Sequence, residues 1–145
     1  MVGPNGDCIF YEDYRKIAFL TGGIGITPVV SILGYIAAHS LATDAVLLYS
    51  NRAENDIAYR DRLNDYADKQ PTIKIVYTVD YEKPTDSRIS FGMINKDFVL
   101  KHIPDYRDRM FFIFGPPGMV NAMVKLCQEL GCPPEKIKAE NFAGY

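Results

Sequence analysis

The stretch that most constrains the fold of this chain is residues 17–28, Ile-Ala-Phe-Leu-Thr-Gly-Gly-Ile-Gly-Ile-Thr-Pro. Its first four residues are apolar and few enough to form one buried strand. Three glycines follow within residues 22–25, and then Thr27-Pro28, which favours a helix start because Thr caps helices and Pro is preferred in their first position. Glycines let an anion approach the backbone, and the free N–H groups of a helix start point toward it. The stretch therefore predicts a strand, a phosphate-binding turn and a helix that begins at Pro28.

Strand-like and helix-like segments alternate along the rest of the chain. The predicted strands cover residues 17–20, 45–49, 73–79, 110–114 and 136–140. The predicted helices cover residues 28–39, 56–69 and 95–101, and a last helix runs from the turn at 115–118 to residue 130. Strands that are apolar on both faces suit a parallel sheet covered by helices. We therefore predict an α/β fold with a three-layer, doubly wound, mostly parallel five-stranded sheet and helices on both faces.

Length and charge limit the organisation and the partners of the protein. The 145 residues suffice for one domain with a sizeable core, which we place at 17–145, after a Gly/Pro/Asp-rich segment at 1–16. A net charge of −2 gives no general attraction to nucleic acid or to an anionic membrane. No apolar run has the length of a membrane span, and no segment is typical of a signal peptide. The three cysteines show neither a disulfide pattern nor metal-ligand spacing, so we expect no metal site and a cytoplasmic location.

Three turns should share one edge of the sheet, because each follows a predicted strand at the end where such folds bind ligands. They are residues 21–27, 50–52 and 115–119. The first departs from the G-x-G-x-x-G fingerprint, since Pro28 replaces the third glycine and Ser50-Asn51-Arg52 stands where an acidic residue is usual. The Arg52 guanidinium suits a 2′-phosphate or the face of an adenine ring. A solvated loop is an equally good interpretation of these three residues.

Four motifs occur in a fixed order along the chain: residues 21–28, residues 49–57, residues 115–120 and the final Glu140-x-Phe142. This ordered set resembles the nicotinamide-dinucleotide-binding domain of the ferredoxin–NADP reductase superfamily, which includes ferredoxin reductases, cytochrome b5 reductases and oxygenase reductase components. The resemblance covers nearly the whole chain. In addition, Gly3-Pro4-x-Gly6 resembles the closing motif of the flavin-binding barrel that precedes this domain in the family.

The resemblance implies a role for each motif residue. Those expected to bind the cofactor are Thr21, Gly22, Gly23, Gly25, Thr27, Pro28, Ser50, Asn51, Arg52, Gly115, Pro116, Pro117 and Met119. No residue is assigned as a catalytic acid or base, and the candidates for the nicotinamide–flavin junction are Glu140, Phe142 and Tyr145. Phe114 departs from the family, many of whose members carry cysteine directly before the Gly-Pro-Pro turn.

The function implied by the resemblance is that of an NAD(P)H-binding domain in a flavin-dependent electron-transfer oxidoreductase. NAD(P)H would transfer hydride to FAD or FMN in a separate domain, of which residues 1–16 would be the end, and this chain would not be active alone. The implied partners are that flavin-binding domain and an iron–sulfur or haem electron acceptor. Two alternatives remain: a non-catalytic nucleotide-binding sensor module, and a docking subunit of a multi-component redox complex. The choice between NADH and NADPH is also open.

Overall fold

The computed structural model describes residues 8–142 and contains one parallel sheet covered by helices. The strands are β1 (Lys16–Gly22), β2 (Asp44–Asn51), β3 (Ile73–Val79), β4 (Ser90–Phe91), β5 (Met110–Gly115) and β6 (Ile137–Asn141). The helices are α1 (Ile26–Ala38), α2 (Arg60–Lys69), α3 (Lys96–His102) and α4 (Pro117–Leu130). The strand order is β4-β3-β2-β1-β5-β6, which confirms the predicted α/β class and the parallel sheet. None of these helices combines the length and the apolar character needed to cross a membrane.

The predicted number of strands was wrong, because the described residues form six strands and not five. The additional strand is β4, whose two residues pair with Thr78 and Val79 at the end of β3. The Thr78 hydroxyl lies 3.2 Å from the Ser90 carbonyl oxygen and 2.7 Å from that of Gly92, so it ties this short strand to β3. Such a strand lies in a polar, irregular stretch and is too short to show a period-2 pattern.

Two helices begin at positions other than those predicted. The helix α1 begins at Ile26 after a 3-10 turn over Gly23–Gly25, so Thr27 lies inside the first turn and makes no capping hydrogen bond. Pro28 fits there because N–H groups in a first turn have no intrahelical partner. The helix α2 begins at Arg60 and not near residue 56, because Tyr59 adopts a left-handed conformation with φ of 61°. A single residue of this kind leaves no pattern in the sequence.

The core consists of two apolar layers, one on each face of the sheet. Alternate residues of the central strands enter opposite layers, as Phe19 and Leu20 of β1 show. The helices α1 and α2 cover the layer that contains Phe19, where the rings of Phe19 and Phe112 stack at 5.5 Å. The helices α3 and α4 cover the layer that contains Leu20. The three-layer arrangement with helices on both faces is therefore confirmed.

Residues 8–15 pack against the same layer as α1. Cys8 and Phe10 are buried there, and the Phe10 ring makes edge contacts with Tyr14 and Tyr35 at 6.2 and 6.4 Å. The predicted barrel motif at 3–6 lies outside the described residues. The division of the chain at residue 16 therefore stays a prediction, although the segment just before β1 contributes to the core.

A buried arginine connects three strands at the edge of the sheet where they begin. Arg109, only 5% exposed, pairs with Asp44 and Asp105, each at 2.8 Å, and donates to the Ile17 carbonyl oxygen at 2.8 Å. Lys16 also pairs with Asp105 at 2.8 Å. These contacts fix the starts of β1, β2 and β5 relative to one another. The opposite edge, where the strands end, holds the candidate site.

Candidate functional site

A cleft of about 850 Å³ opens at the C-terminal edge of the sheet. It lies beside the end of β1, which has β2 on one side and β5 on the other. This is the point where the strand order reverses and where open α/β sheets bind their ligands. The volume falls within the range of about 300–1,000 Å³ that is usual for ligand and cofactor sites.

The structure brings eight of the predicted cofactor residues together in this cleft. They are Gly22, Gly23, Thr27, Ser50, Asn51, Arg52, Pro116 and Met119. All three predicted turns therefore contribute to one site. The remaining predicted residues, Thr21, Gly25, Pro28, Gly115 and Pro117, are not among those that line it.

Two glycines of the first turn shape the wall of the cleft. A Cβ atom at Gly22 would lie 2.4 Å from Met119 Sδ, so the absence of a side chain lets Met119 approach the end of β1. Gly23 has φ of +53°, a conformation that glycine adopts without strain, and no atom lies within 4 Å of a Cβ built there. The turn thus exposes backbone to the cleft at Gly23 and brings the walls from β1 and α4 together at Gly22.

Three of the remaining predicted residues make packing contacts behind the cleft. The buried Thr21 hydroxyl donates to the Phe114 carbonyl oxygen at 2.8 Å. A Cβ atom at Gly25 would lie 2.4 Å from that same oxygen. The Gly115 carbonyl oxygen accepts from the Phe142 N–H at 2.9 Å. Phe114, the departure from the family pattern, is fully buried and does not line the cleft.

The electrostatics of the cleft favour an anion in its middle. Both α1 and α4 begin at the cleft, and neither has an acidic residue in its first turn. The N-terminal ends of helices carry a partial positive charge and free N–H groups. Toward β2 and β3 the charges are mixed, since Arg52 is the only cation among the described lining residues and Asp56 and Asp80 carry carboxylates.

A buried amide next to Arg52 offers a further hydrogen-bond donor. Asn51 is 8% exposed and lines the cleft, and its Nδ2 atom makes no hydrogen bond of normal geometry within residues 8–142. It lies beside the Tyr49 hydroxyl, whose pKa is raised by burial and lowered in part by this amide, and which accepts from the Ala58 N–H at 3.1 Å. An unsatisfied buried donor costs about 1–3 kcal/mol. A ligand acceptor in the cleft would remove that cost.

Sequence reasoning missed part of the lining. Asp80 follows β3 at the same edge, so the rule that identified the other turns would have found it. Met93 and Ile94 follow β4, which was not predicted. Tyr59, the left-handed residue directly before α2, also lines the cleft. No sequence signal was available for these three.

Two of the three junction candidates, Glu140 and Phe142, lie beside the cleft and are not among its lining residues. Glu140 pairs in register with Phe114, and the Phe142 ring lies 6.2 Å from the ring of Phe114. Both are therefore at the same edge of the sheet as the cleft, next to the end of β5. Tyr145 lies outside the described residues. Their roles at a nicotinamide–flavin junction stay predictions.

A doubly wound parallel sheet with a glycine-lined cleft at its switch point defines a nucleotide-binding α/β domain. Comparison with known families narrows this class, because residues 19–125 match the family described as "Oxidoreductase NAD-binding domain". The chain belongs to this family. The membership inferred from the ordered motifs is thereby confirmed.

Three known proteins illustrate the relationship. The plasma membrane-associated coenzyme Q6 reductase of Saccharomyces cerevisiae is 37% identical over 133 residues, which are 89% of this chain and 42% of that protein. NADH-cytochrome b5 reductase 1 of Candida glabrata is 33% identical over 141 residues, which are 92% of this chain and 48% of that protein. The flavohaem-like FAD/NAD-binding domain of Vibrio cholerae nitric oxide dioxygenase shares the fold, with a TM-score of 0.85 at 21% identity over 97% of this chain and 56% of that one. The chain thus spans less than half the length of either curated relative.

Proposed function

We propose that this chain binds reduced nicotinamide dinucleotide in the cleft and presents it to a flavin held by a separate domain. The observation that carries the proposal is the cleft itself, at which two helix N-termini and a glycine turn meet, an arrangement suited to binding a phosphate. The dinucleotide would supply a hydride to the flavin, and the chain would supply binding, orientation and shielding from water. Membership in the NAD-binding family supports the choice of ligand.

The chain's own groups suggest how the dinucleotide would lie. The N–H groups of Thr27 in α1 and of Gly118 and Met119 in α4 would hold the pyrophosphate, because the prolines in these first turns have no N–H to donate. Ser50, Asn51 and Arg52 would hold the adenosine half at the end of β2. The nicotinamide half would then lie toward the end of β5, where Glu140 and Phe142 adjoin the cleft.

Blocking the cleft with a side chain should abolish dinucleotide binding. Gly118 lines the cleft in the first turn of α4, and no atom lies within 4 Å of a Cβ built there. The Cβ of Gly118→Leu therefore meets no atom of the fold, and we expect the larger side chain to occupy space in the cleft, while leucine is a good helix former. We expect a loss of NADH affinity of at least about tenfold, or 1.4 kcal/mol, measured by calorimetric titration of the 145-residue chain.

The matched control is Asn121→Leu, which places the same side chain at an exposed position of the same helix that is not in the cleft. It should bind NADH like the unmodified chain. The proposal fails if the unmodified chain binds neither NADH nor NADPH. If it binds but Gly118→Leu binds equally well, the proposed location is wrong.

We further propose that NADH is preferred over NADPH. Among the described lining residues, the adenosine end offers one cation, Arg52, against the carboxylates of Asp56 and Asp80, and a 2′-phosphate would add negative charge there. Asp56→Asn and Asp80→Asn should each raise NADPH affinity about three- to tenfold, from a Coulomb energy on the order of 1 kcal/mol near a surface, with a smaller change for NADH. Asp61→Asn, on the exposed side of α2 and outside the cleft, is the control. Equal gains for both cofactors would contradict the preference.

The rest of the enzyme is proposed from the relatives. This chain matches less than half of each curated relative. The unmatched part of each relative is long enough for a separate domain, which supports a separate flavin domain in the whole protein. These relatives are named for different acceptors, coenzyme Q6 and cytochrome b5, and we propose that the acceptor of this protein is likewise an electron carrier. We expect the chain alone to bind NADH without oxidising it. A cytoplasmic location stays a prediction, since one relative is named as plasma membrane-associated.

A further inference from the structure

The loop that follows β3 is attached to the loop that follows β2. The N–H of Asp80 donates to the Asn51 carbonyl oxygen at 3.1 Å. The N–H groups of Tyr81 and Glu82 both donate to the Arg52 carbonyl oxygen, at 3.1 and 3.0 Å. The backbone at residues 80–82 is therefore fixed against Asn51 and Arg52, two of the residues that line the cleft at the end of β2.

Side chains farther along the same loop strengthen this attachment. Glu54 accepts from the N–H and the hydroxyl of Thr85, at 2.9 and 3.0 Å. Asp86 pairs with Arg60 at 2.5 Å. The loop is thus held at both ends to residues 51–60, and the position of Tyr81 is set by its neighbours on both sides.

The Arg52 guanidinium lies over the ring of Tyr81, 4.5 Å from the ring centroid. No hydrogen bond or ion pair of the Arg52 side chain occurs within residues 8–142, whereas Arg60 and Arg109 both have carboxylate partners. A contact with the face of a ring orients a guanidinium and leaves its N–H donors available. Tyr81 itself is 68% exposed and contributes no buried surface to the core.

We propose that Tyr81 is a positioning residue for Arg52. Its ring holds the guanidinium at the cleft, so that the N–H donors face an oxyanion of the dinucleotide's adenosine half. This inference rests on the proposed function, because it requires the dinucleotide to occupy the cleft. An arginine that is already ordered loses less rotamer freedom on binding than a mobile one, and this pre-organisation strengthens binding.

The test is a double-mutant cycle on NADH affinity with Arg52→Ala and Tyr81→Leu, measured by calorimetric titration of the 145-residue chain. Tyr81→Leu should weaken binding about two- to fivefold, the effect expected from an exposed cation–π contact. It should have no further effect in the Arg52→Ala background. Tyr81→Phe keeps the ring and should restore the original affinity, which a loss of general stability would not explain.

A matched control pair lies elsewhere in the chain. Arg107 lies over the ring of Tyr106 at 5.7 Å, in the 3-10 turn before β5 and outside the cleft. Tyr106→Leu removes an arginine–tyrosine contact whose ring also packs against the core, so it is the more disruptive of the two substitutions. It should nevertheless leave NADH affinity unchanged in the folded protein, with the folded fraction checked by circular dichroism.

The outcomes separate this inference from the proposed function. If Tyr81→Leu has no effect, or weakens binding equally with and without Arg52, Tyr81 does not act through Arg52 and the inference is wrong while the proposed function stands. If the unmodified chain binds neither NADH nor NADPH, the proposed function fails and the inference fails with it.

Repeating the double-mutant cycle with NADPH shows which oxyanion of the dinucleotide Arg52 binds. A coupling between the two residues that is larger with NADPH assigns the N–H donors to the 2′-phosphate, and an equal coupling assigns them to oxygens that both cofactors share.

Discussion

Gly25→Ala should destabilise the protein by at least about 3 kcal/mol, at the upper end of the cost of overpacking a core. A Cβ atom at this position would lie 2.4 Å from the Phe114 carbonyl oxygen, 2.5 Å from its carbonyl carbon and 2.8 Å from the Gly115 N. All three are backbone atoms of the central strand β5, so no side chain can rotate away to make room. The turn before α1 would have to move away from β5, and the buried hydrogen bond from Thr21 to Phe114 would be strained.

Urea denaturation measures this effect, with Gly118→Ala as the matched control. A Cβ at Gly118 meets nothing within 4 Å, and alanine is favoured over glycine in a helix, so this variant should be as stable as the unmodified chain or more stable. Similar midpoints for the two variants would show that the approach of Gly25 to β5 does not limit stability. Because the same turn forms a wall of the cleft, Gly25→Ala should also weaken NADH binding in whatever fraction remains folded.

Gly25 shows what the sequence could and could not predict. The glycine-rich stretch correctly indicated a strand, a turn and a helix around a ligand-binding edge. It could not distinguish the glycines that expose backbone to a cleft, such as Gly23, from the one that lets the turn pack on β5. That distinction depends on which strand lies next to β1, and the pairing of β1 with β5 joins segments about ninety residues apart in the chain.

Apolar runs predicted the central strands well, because burial on both faces requires apolar residues throughout. The strand at 73–79, which is partly exposed and was indicated by its β-branched residues, was predicted with the boundaries that the structure has. Gly131 ends α4 in the left-handed conformation expected of a C-terminal glycine. Features that depend on only one or two residues were not predicted. The left-handed Tyr59 delays the start of α2, and β4 is formed by two residues that a loop brings to the edge of the sheet.

The site was predicted to the extent that it follows from topology. In a parallel sheet the turns after neighbouring strands meet at one edge, so residues from all three predicted turns share the cleft. The contacts that position these residues, such as Tyr81 against Arg52, depend on the conformation of loops with no periodic pattern.

Arg109→Met should destabilise the protein by about 3 kcal/mol, the lower end of the cost of removing one partner from a buried ion pair. The substitution leaves Asp44 and Asp105 without their shared cation and the Ile17 carbonyl oxygen without its donor. We expect the lower end of the range because the Asp44 and Asp105 side chains are 48% and 30% exposed and water can rehydrate them. Arg107→Met is the control, since Arg107 is exposed in the adjacent turn and no carboxylate partner of it occurs within residues 8–142.

The pH dependence of stability should change in the same variant. Hydrogen bonds from Arg109, together with those from Lys16, hold the pKa of Asp105 at about 2, below its usual range. A carboxylate with a lowered pKa stabilises the folded state above its unfolded pKa of about 4, and this contribution is lost as the pH falls toward 2. In Arg109→Met the pKa of Asp105 should return toward its ordinary value. The variant should therefore lose less stability than the unmodified chain between pH 4 and pH 2, when both are followed by urea denaturation.

The Arg109→Met variant also separates stability from binding. Arg109 joins the starts of β1, β2 and β5, whereas the cleft lies where these strands end, so the length of the sheet lies between them. NADH affinity of the folded protein should therefore be unchanged below the urea transition, although the midpoint falls. An affinity loss as large as that of Gly118→Leu would mean that the alignment of the strand starts controls the shape of the cleft. In that case the two edges of the sheet would be energetically coupled through the central strands.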